Sequence, residues 1–196
     1  MAFDALSEVS DEALLVLYAN GDSSGARLLT LRLVPRILGY AARLLNDRAE
    51  AEDVAQEAML RLWRVAPDWR QGEAKISTWL YRVTTNLCTD RLRSRMRRKV
   101  VALDDLPDMA DAAPGAVAVL IEADRMAALN AALTLLPDRQ REAVVMRHIE
   151  GLSNPEIADV MDIGIEAVES LISRGKRALV AILAGRLEEL GYEKGN

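Results

Sequence analysis

The sequence predicts an all-α protein built as two small helical domains joined by a flexible acidic linker, and three observations predict it. Hydrophobic residues make up 51% of the 196-residue chain and aromatics only 4%, so the apolar material is aliphatic and rich in Ala and Leu, which favour helix. No run of β-branched residues alternates with polar ones as a half-buried strand would. Apolar residues recur instead at helical spacing on both sides of VALDDLPDMADAAPGA, a stretch of Pro, Ala and Asp with little periodicity. The chain therefore divides into an N-terminal domain over 1–99, a linker over 100–121 and a C-terminal domain over 122–196.

Taken in order, SDEALLVLYANGD reads as a short helix ending near Gly21. SSGARLLTLRLVPRILGYAARLLN reads as a longer one that Pro35 is expected to kink or break. Asp47 is placed to cap the next helix, with Glu50 three residues on as in a capping box. Val54, Ala58 and Leu62, flanked by Met59, Trp63 and Ala66, give that helix an apolar stripe, and it is expected to stop before Pro67. WRQGEAK is a loop, after which Ser77 or Thr78 opens a helix that continues into an arginine cluster. Beyond the linker, four helices are expected, separated by Pro137, Gly151 and the turn containing Gly164.

Composition excludes several classes of function. No apolar run reaches the roughly 18 residues that span a bilayer, and the acidic start MAFDALSEVSDE is unlike a signal peptide, which places the chain in the cytoplasm. One cysteine, Cys88, and one histidine, His148, make neither an internal disulfide nor a usual zinc site. Cys88 lies among Leu87 and Leu92 at helical spacing, as a buried inert thiol does. There is no glycine-rich phosphate loop and no histidine beside a nucleophile, so no cofactor, metal or catalytic residue is expected.

The net charge of −5 argues against nucleic-acid binding until its distribution is considered. Arg82, Arg91, Arg93, Arg95, Arg97, Arg98 and Lys99 face one acid, Asp90, between 82 and 99. Asp104, Asp105, Asp108, Asp111, Glu122 and Asp124 follow with no base. Screening over about 8 Å in physiological salt lets the two patches act separately. In the basic segment, Trp79 and Tyr81 precede Asn86, Arg91, Arg93 and Arg95 on one helix. Aromatic faces beside cations are what single-stranded DNA requires, although Trp63, Trp69 and Trp79 each fit a core equally well.

Farther on, Ser153 and Glu156 form a capping box with Pro155 in the first turn, Ile157 and Val160 turn inward, and Gly164 is expected to permit the tight turn of a helix-turn-helix. In its second helix Val168, Ile172, Gly175, Leu179 and Ile182 share one face. Glu166, Ser170, Ser173, Arg174 and Arg177 share the opposite one, suited to a major groove.

These motifs, in this order and spacing, resemble the group IV, extracytoplasmic-function (ECF) class of bacterial RNA polymerase sigma factors in the sigma-70 family, over nearly the whole chain. AEDVAQEAMLRLWR resembles sigma regions 2.1 to 2.2, STWLYRVTTNLCTDRLRSR regions 2.3 and 2.4, and the segment from LPDRQREAVV through SRGKRAL region 4. The resemblance implies that Asp53, Gln56, Glu57, Arg61 and Trp63 dock on the clamp helices of the largest polymerase subunit. It implies further that Asn86 lines a pocket for a base flipped from the minus-ten element, with Trp79, Tyr81, Arg91, Arg93 and Arg95 beside the opened strand. Glu166, Glu169, Ser170, Ser173, Arg174 and Arg177 would meet the minus-thirty-five duplex. Two positions depart from the pattern: Glu169 and Leu171 stand where many members carry basic residues, and Glu169 would either repel nearby phosphates or accept a hydrogen bond from a cytosine amino group. The acidic linker would thread toward the polymerase active centre, and an anti-sigma factor would hold the protein inactive until a stress signal. Two alternatives share parts of this pattern: a decoy that sequesters an anti-sigma factor without touching promoters, and a one-component helix-turn-helix regulator.

Overall fold

The computed structural model describes residues 8–70, 75–101 and 117–189, and the described residues form eight α-helices and one 3-10 turn, with no strand among them. The linker acids Asp104, Asp105, Asp108 and Asp111 lie outside the described residues.

Helix α1 (Asp11–Ala19) starts at Ser10, whose hydroxyl accepts from the Ala13 amide at 3.2 Å. Helix α2 (Ser23–Leu45) runs through Pro35 without breaking, contrary to one of the two expected outcomes. The proline removes the amide that would bond the Leu31 carbonyl, but Pro35 and Leu31 are both exposed, so water can satisfy that oxygen. Leu33, Ile37, Tyr40 and Leu44 bury the opposite face and hold the helix on both sides of the proline.

Helix α3 (Arg48–Val65) is capped by Asp47, which accepts from the Glu50 amide at 3.0 Å. The Glu50 carboxylate is engaged by Arg95 at 2.9 Å. As expected, α3 ends before Pro67, and Ala66–Asp68 form the 3-10 turn. Helix α4 (Ile76–Val101) begins one residue before Ser77 and carries the arginine cluster.

The C-terminal half contributes α5 (Val117–Thr134), α6 (Asp138–His148), α7 (Asn154–Met161) and α8 (Ile165–Glu189). The capping box on α7 is complete, with Ser153 and Glu156 each satisfying the other's backbone amide. The turn into α8 differs from expectation: its left-handed residue is Asp162, at φ 53°, while Gly164 is not at positive φ. Asp tolerates that conformation better than most residues, and the Asp162 amide closes α7 by bonding the Ala158 carbonyl.

Two cores result. Leu14, Leu15, Leu29, Leu62, Ile76 and Leu80 belong to one enclosed within the N-terminal half. The second is shared: Tyr40, Leu44, Tyr81 and Cys88 from α2 and α4 pack with Leu133, Val145, Met146 and Ile157 from the other half. Cys88 is fully buried there, and desolvation pushes its thiol up to about 12, which makes it the inert thiol expected.

Candidate polymerase and nucleic-acid interfaces

The outer face of α3 presents Asp53 and Gln56 to solvent, with Glu57 half-buried and Arg61 exposed. Arg61 Nε donates to Glu57 at 2.9 Å, one turn apart, and that bond holds the Glu57 carboxyl below its usual range. Trp63 is half-buried, its ring 4.8 Å from that of Tyr18, and it lines a groove together with Gln56. This open, mostly apolar groove of about 360 Å³ runs between α2 and α3, lined also by Val34, Leu38, Ala55, Met59 and Leu60 among others.

On α4 the expected strand-binding residues separate into two groups. Asn86 and Arg93 are exposed, and Arg91 is half-buried with its guanidinium 3.6 Å from Asp53. The remaining three are engaged by neighbours within the protein, and only Tyr81 of them is buried. The Trp79 ring meets Trp69 edge-on at 5.9 Å. Arg95 spans the α2–α3 junction, donating to the Leu45 carbonyl and pairing with Asp47 and Glu50, each at 2.9 Å. Its guanidinium thereby holds the N-terminus of α3 against α4. Tyr81 is 2% exposed, packs edge-on to Tyr40 at 5.2 Å, and donates its hydroxyl to Glu150 at 2.6 Å. Desolvation first, and that bond second, push its phenol well above the usual range.

The third face is the most regular. Glu166, Glu169, Ser170, Ser173, Arg174 and Arg177 are all exposed, while Val168 and Gly175 are buried on the other side of α8. A Cβ on Gly175 would stand 2.6 Å from Val144 Cγ2, so glycine lets α8 lie directly on α6. Asn154 Nδ2 approaches Glu169 at 3.4 Å across the turn. Leu171 is half-buried against the shared core, which accounts for an apolar residue at that position.

Sequence reasoning missed the residues that join the halves. Lys75 Nζ pairs with Glu156 at 2.8 Å, and Arg82 Nε donates to the Asp159 carbonyl at 2.9 Å. Arg43 lies 3.6 Å from Glu150, and buried Arg141 donates to the Leu44 carbonyl at 2.7 Å. Glu156 therefore caps α7 and reaches across the joint, and the hydrogen bonds from Lys75 and Ser153 draw its carboxyl down to about 2. These partners are 77 to 107 residues apart in the chain, and no local pattern signals such pairings.

Comparison with known proteins follows the same division. Residues 29–98 match Sigma-70 region 2, and residues 126–179 match Sigma-70, region 4. RNA polymerase sigma-H factor of Pseudomonas aeruginosa is 31% identical over 193 residues, covering 94% of this chain and 99% of the relative. ECF RNA polymerase sigma factor SigM of Mycobacterium tuberculosis is 32% identical over 184 residues, covering 93% and 89%. Among solved structures, CnrH in complex with the cytosolic domain of CnrY aligns with a TM-score of 0.65 at 25% identity, over 89% of this chain and 97% of that one. The sigma factor RpoE of Bartonella quintana, solved with the anti-sigma factor NepR, shares the fold at a TM-score of 0.67 and 21% identity, over 81% and 96%.

Proposed function

Because the chain belongs to the ECF group of sigma-70 factors, we propose that it binds core RNA polymerase and directs promoter-specific initiation through three separate faces. The observation that carries this reading is the co-occurrence, in one chain and in order, of both sigma modules, the second presenting a fully exposed polar recognition face on α8. Its place of work is then the cytoplasm, with the polymerase.

The division of labour is 1–99 for polymerase docking and the minus-ten element, 100–121 as linker, and 122–196 for the minus-thirty-five element. Asp53, Gln56, Glu57 and Arg61 form the polar docking surface for the polymerase clamp helices, with Trp63 beside Gln56 in the adjoining groove. Asn86 receives the flipped base, a step that costs a few kcal/mol of unstacking and so selects for an easily opened sequence. Arg91 and Arg93 neutralise the adjacent phosphates. Arg95 acts by fixing α4 against α3, and Trp79 by packing on Trp69, rather than by lying open to the strand. On α8, Arg174 and Arg177 meet phosphates while Glu166, Glu169, Ser170 and Ser173 face base edges, Glu169 accepting from a cytosine amino group.

We further propose that a protein of the anti-sigma type regulates this chain, a reading supported by the likeness to CnrH, solved in complex with the cytosolic domain of CnrY. Failure of every candidate encoded beside the gene to co-purify with the chain would remove that proposal.

Run-off transcription with sigma-free core polymerase on fragmented genomic DNA tests the main reading. Discrete transcripts that depend on the protein are expected, and co-elution with core without transcripts would point to a decoy. Asn86→Ala should depress open-complex formation while core binding persists; equal loss of both would remove the role given to Asn86.

A further inference from the structure

Single-stranded DNA bound along α4 would need the side chains at its N-terminal end, and in this structure the other half of the protein holds them. Tyr81, the aromatic that a strand would stack on, is capped by Glu150 at 2.6 Å and is 2% exposed. Lys75 and Arg82, the cations flanking it, are met by Glu156 and by the backbone carbonyl of Asp159, both on α7. Arg36 approaches the Tyr81 ring at 5.9 Å from α2, and Arg43 pairs with Glu150 at 3.6 Å. Carboxylate and carbonyl oxygens of the C-terminal half thus occupy the positions that phosphates would take on a cationic, aromatic surface.

We propose that the C-terminal half is an intramolecular cover for the strand-binding face of α4, with Glu150 and helix α7 standing in for the nucleic acid. The proposal rests on the strand-binding role given to α4. Opening of the joint uncovers Tyr81 and frees Lys75 and Arg82 from Glu156 and the Asp159 carbonyl together, so opening of the joint and capture of the strand are one linked equilibrium. The contacts suit a reversible joint: Lys75 is largely exposed, and the Arg82 contact is to a main-chain oxygen that reforms with water on opening.

The test uses the full chain with fluorophores on cysteines placed at two exposed positions, Arg48→Cys on α3 and Lys176→Cys on α8; native Cys88 is buried and stays unlabelled. Glu150→Lys sets a cation against Arg43 and should lower the energy transfer between the labels. It should also raise affinity for a 12-nucleotide single strand of mixed sequence about tenfold relative to Asp68→Lys, which makes the same charge change on the exposed 3-10 turn. Adding Arg43→Glu to Glu150→Lys restores the pair with its signs exchanged and should return both signals toward the parent. Glu156→Gln, which removes the charge facing Lys75 while Gln at that position still closes the α7 capping box, gives a second opening variant, compared with Asp68→Asn, should Glu150→Lys fail to retain its helical circular dichroism.

Unchanged energy transfer in a folded opening variant would overturn the proposal. So would a fall in energy transfer with strand affinity no greater than that of the matching Asp68 variant, because the joint would then open without uncovering a binding face. Run-off transcription by the parent protein decides the initiation reading separately, so a failure there is distinguishable from a failure of the cover.

Discussion

The core enclosed by α1–α4 and the core shared between the two halves are both lined with aliphatic side chains, yet they differ in what lies among them. The enclosed core gathers buried aliphatic residues such as Leu14, Leu29, Ile37, Leu62 and Leu80, and no ion pair is formed among them. The shared core carries buried Arg141 and Glu142 at its margin, a Tyr40–Thr85 hydroxyl pair at 2.8 Å, and Tyr81 bonded to Glu150. A dry aliphatic core is held by non-directional burial of about 25 cal/mol per Å² and loses stability only as it comes apart. A joint rich in hydrogen bonds and ions gains less net energy per contact, because water replaces each partner on opening. The first core is therefore suited to hold a fold, and the second to hold an arrangement.

The largest expected effect comes from cutting into the enclosed core. Leu62 is fully buried, and Leu62→Ala should destabilise the protein by about 2–5 kcal/mol through lost burial and the cavity left behind. Thermal unfolding followed by circular dichroism measures it. A midpoint close to that of the parent would mean that the enclosed core is not where the N-terminal half gains its stability.

A smaller loss is expected from Gly175→Val, where the new Cβ meets Val144 Cγ2 at 2.6 Å and the Gln140 carbonyl at 3.2 Å. Overpacking of this kind costs about 1–3 kcal/mol, and it falls on the contact between α6 and α8. Limited proteolysis should show earlier cleavage beyond residue 126 while the N-terminal half persists. Simultaneous cleavage of both halves would show that the two cores unfold as one unit.

Next in size is a pH effect at the joint. Glu142 is buried against Thr89 and Cys88 of α4 and Tyr40 of α2, with Arg139, Asp138 and Arg141 on its own helix. Burial is the main cause raising its carboxyl from 4.5 to about 7, with Asp138 adding to the rise and Arg139 opposing it. In a raised acid the folded state holds its proton more tightly than the unfolded one. Stability is thus unaffected by this group below about 4.5, and falls as pH rises from there to about 7. Glu142→Gln removes the penalty and should exceed the parent in stability at pH 8 by about 1–3 kcal/mol, with the gap narrowing toward pH 4.5. Urea titrations at both pH values check this, and a gap independent of pH would exclude a titrating Glu142.

Much of this architecture is legible in the sequence because it is locally encoded. Ser153 and Glu156 satisfy each other within one turn, Asp47 caps α3 three residues from Glu50, and Val168 and Gly175 fall on one helical face seven residues apart. The α8 face is legible for the same reason, since Ser170, Arg174 and Arg177 recur at the helical period. What is not legible depends on partners far along the chain. Arg95 reads as one more cation in a cluster, and only the fold brings it to Asp47 and Glu50. Tyr81 reads as a stacking face, and only the packing of the halves hands its hydroxyl to Glu150. The expected break at Pro35 and the expected role of Gly164 miss because local propensity yields where solvent or a neighbouring residue, here Asp162, can satisfy the backbone.

The smallest expected effects separate the position of a contact from its strength. Arg48–Glu52 at 3.0 Å and Lys75–Glu156 at 2.8 Å are both ion pairs with exposed cations, 81% and 69% by side chain. Screened pairs of this kind contribute next to nothing measurable to stability, so Arg48→Ala and Lys75→Ala should each leave the unfolding midpoint where it is. They differ in what they join: the first pair lies within one turn of α3, and the second ties α4 to α7. Lys75→Ala should therefore lower energy transfer between labels on the two halves, for example at Asp68→Cys and Lys176→Cys, while Arg48→Ala leaves it unchanged. Equal responses would mean that the shared apolar core alone sets the arrangement and that the ionic contacts only follow it.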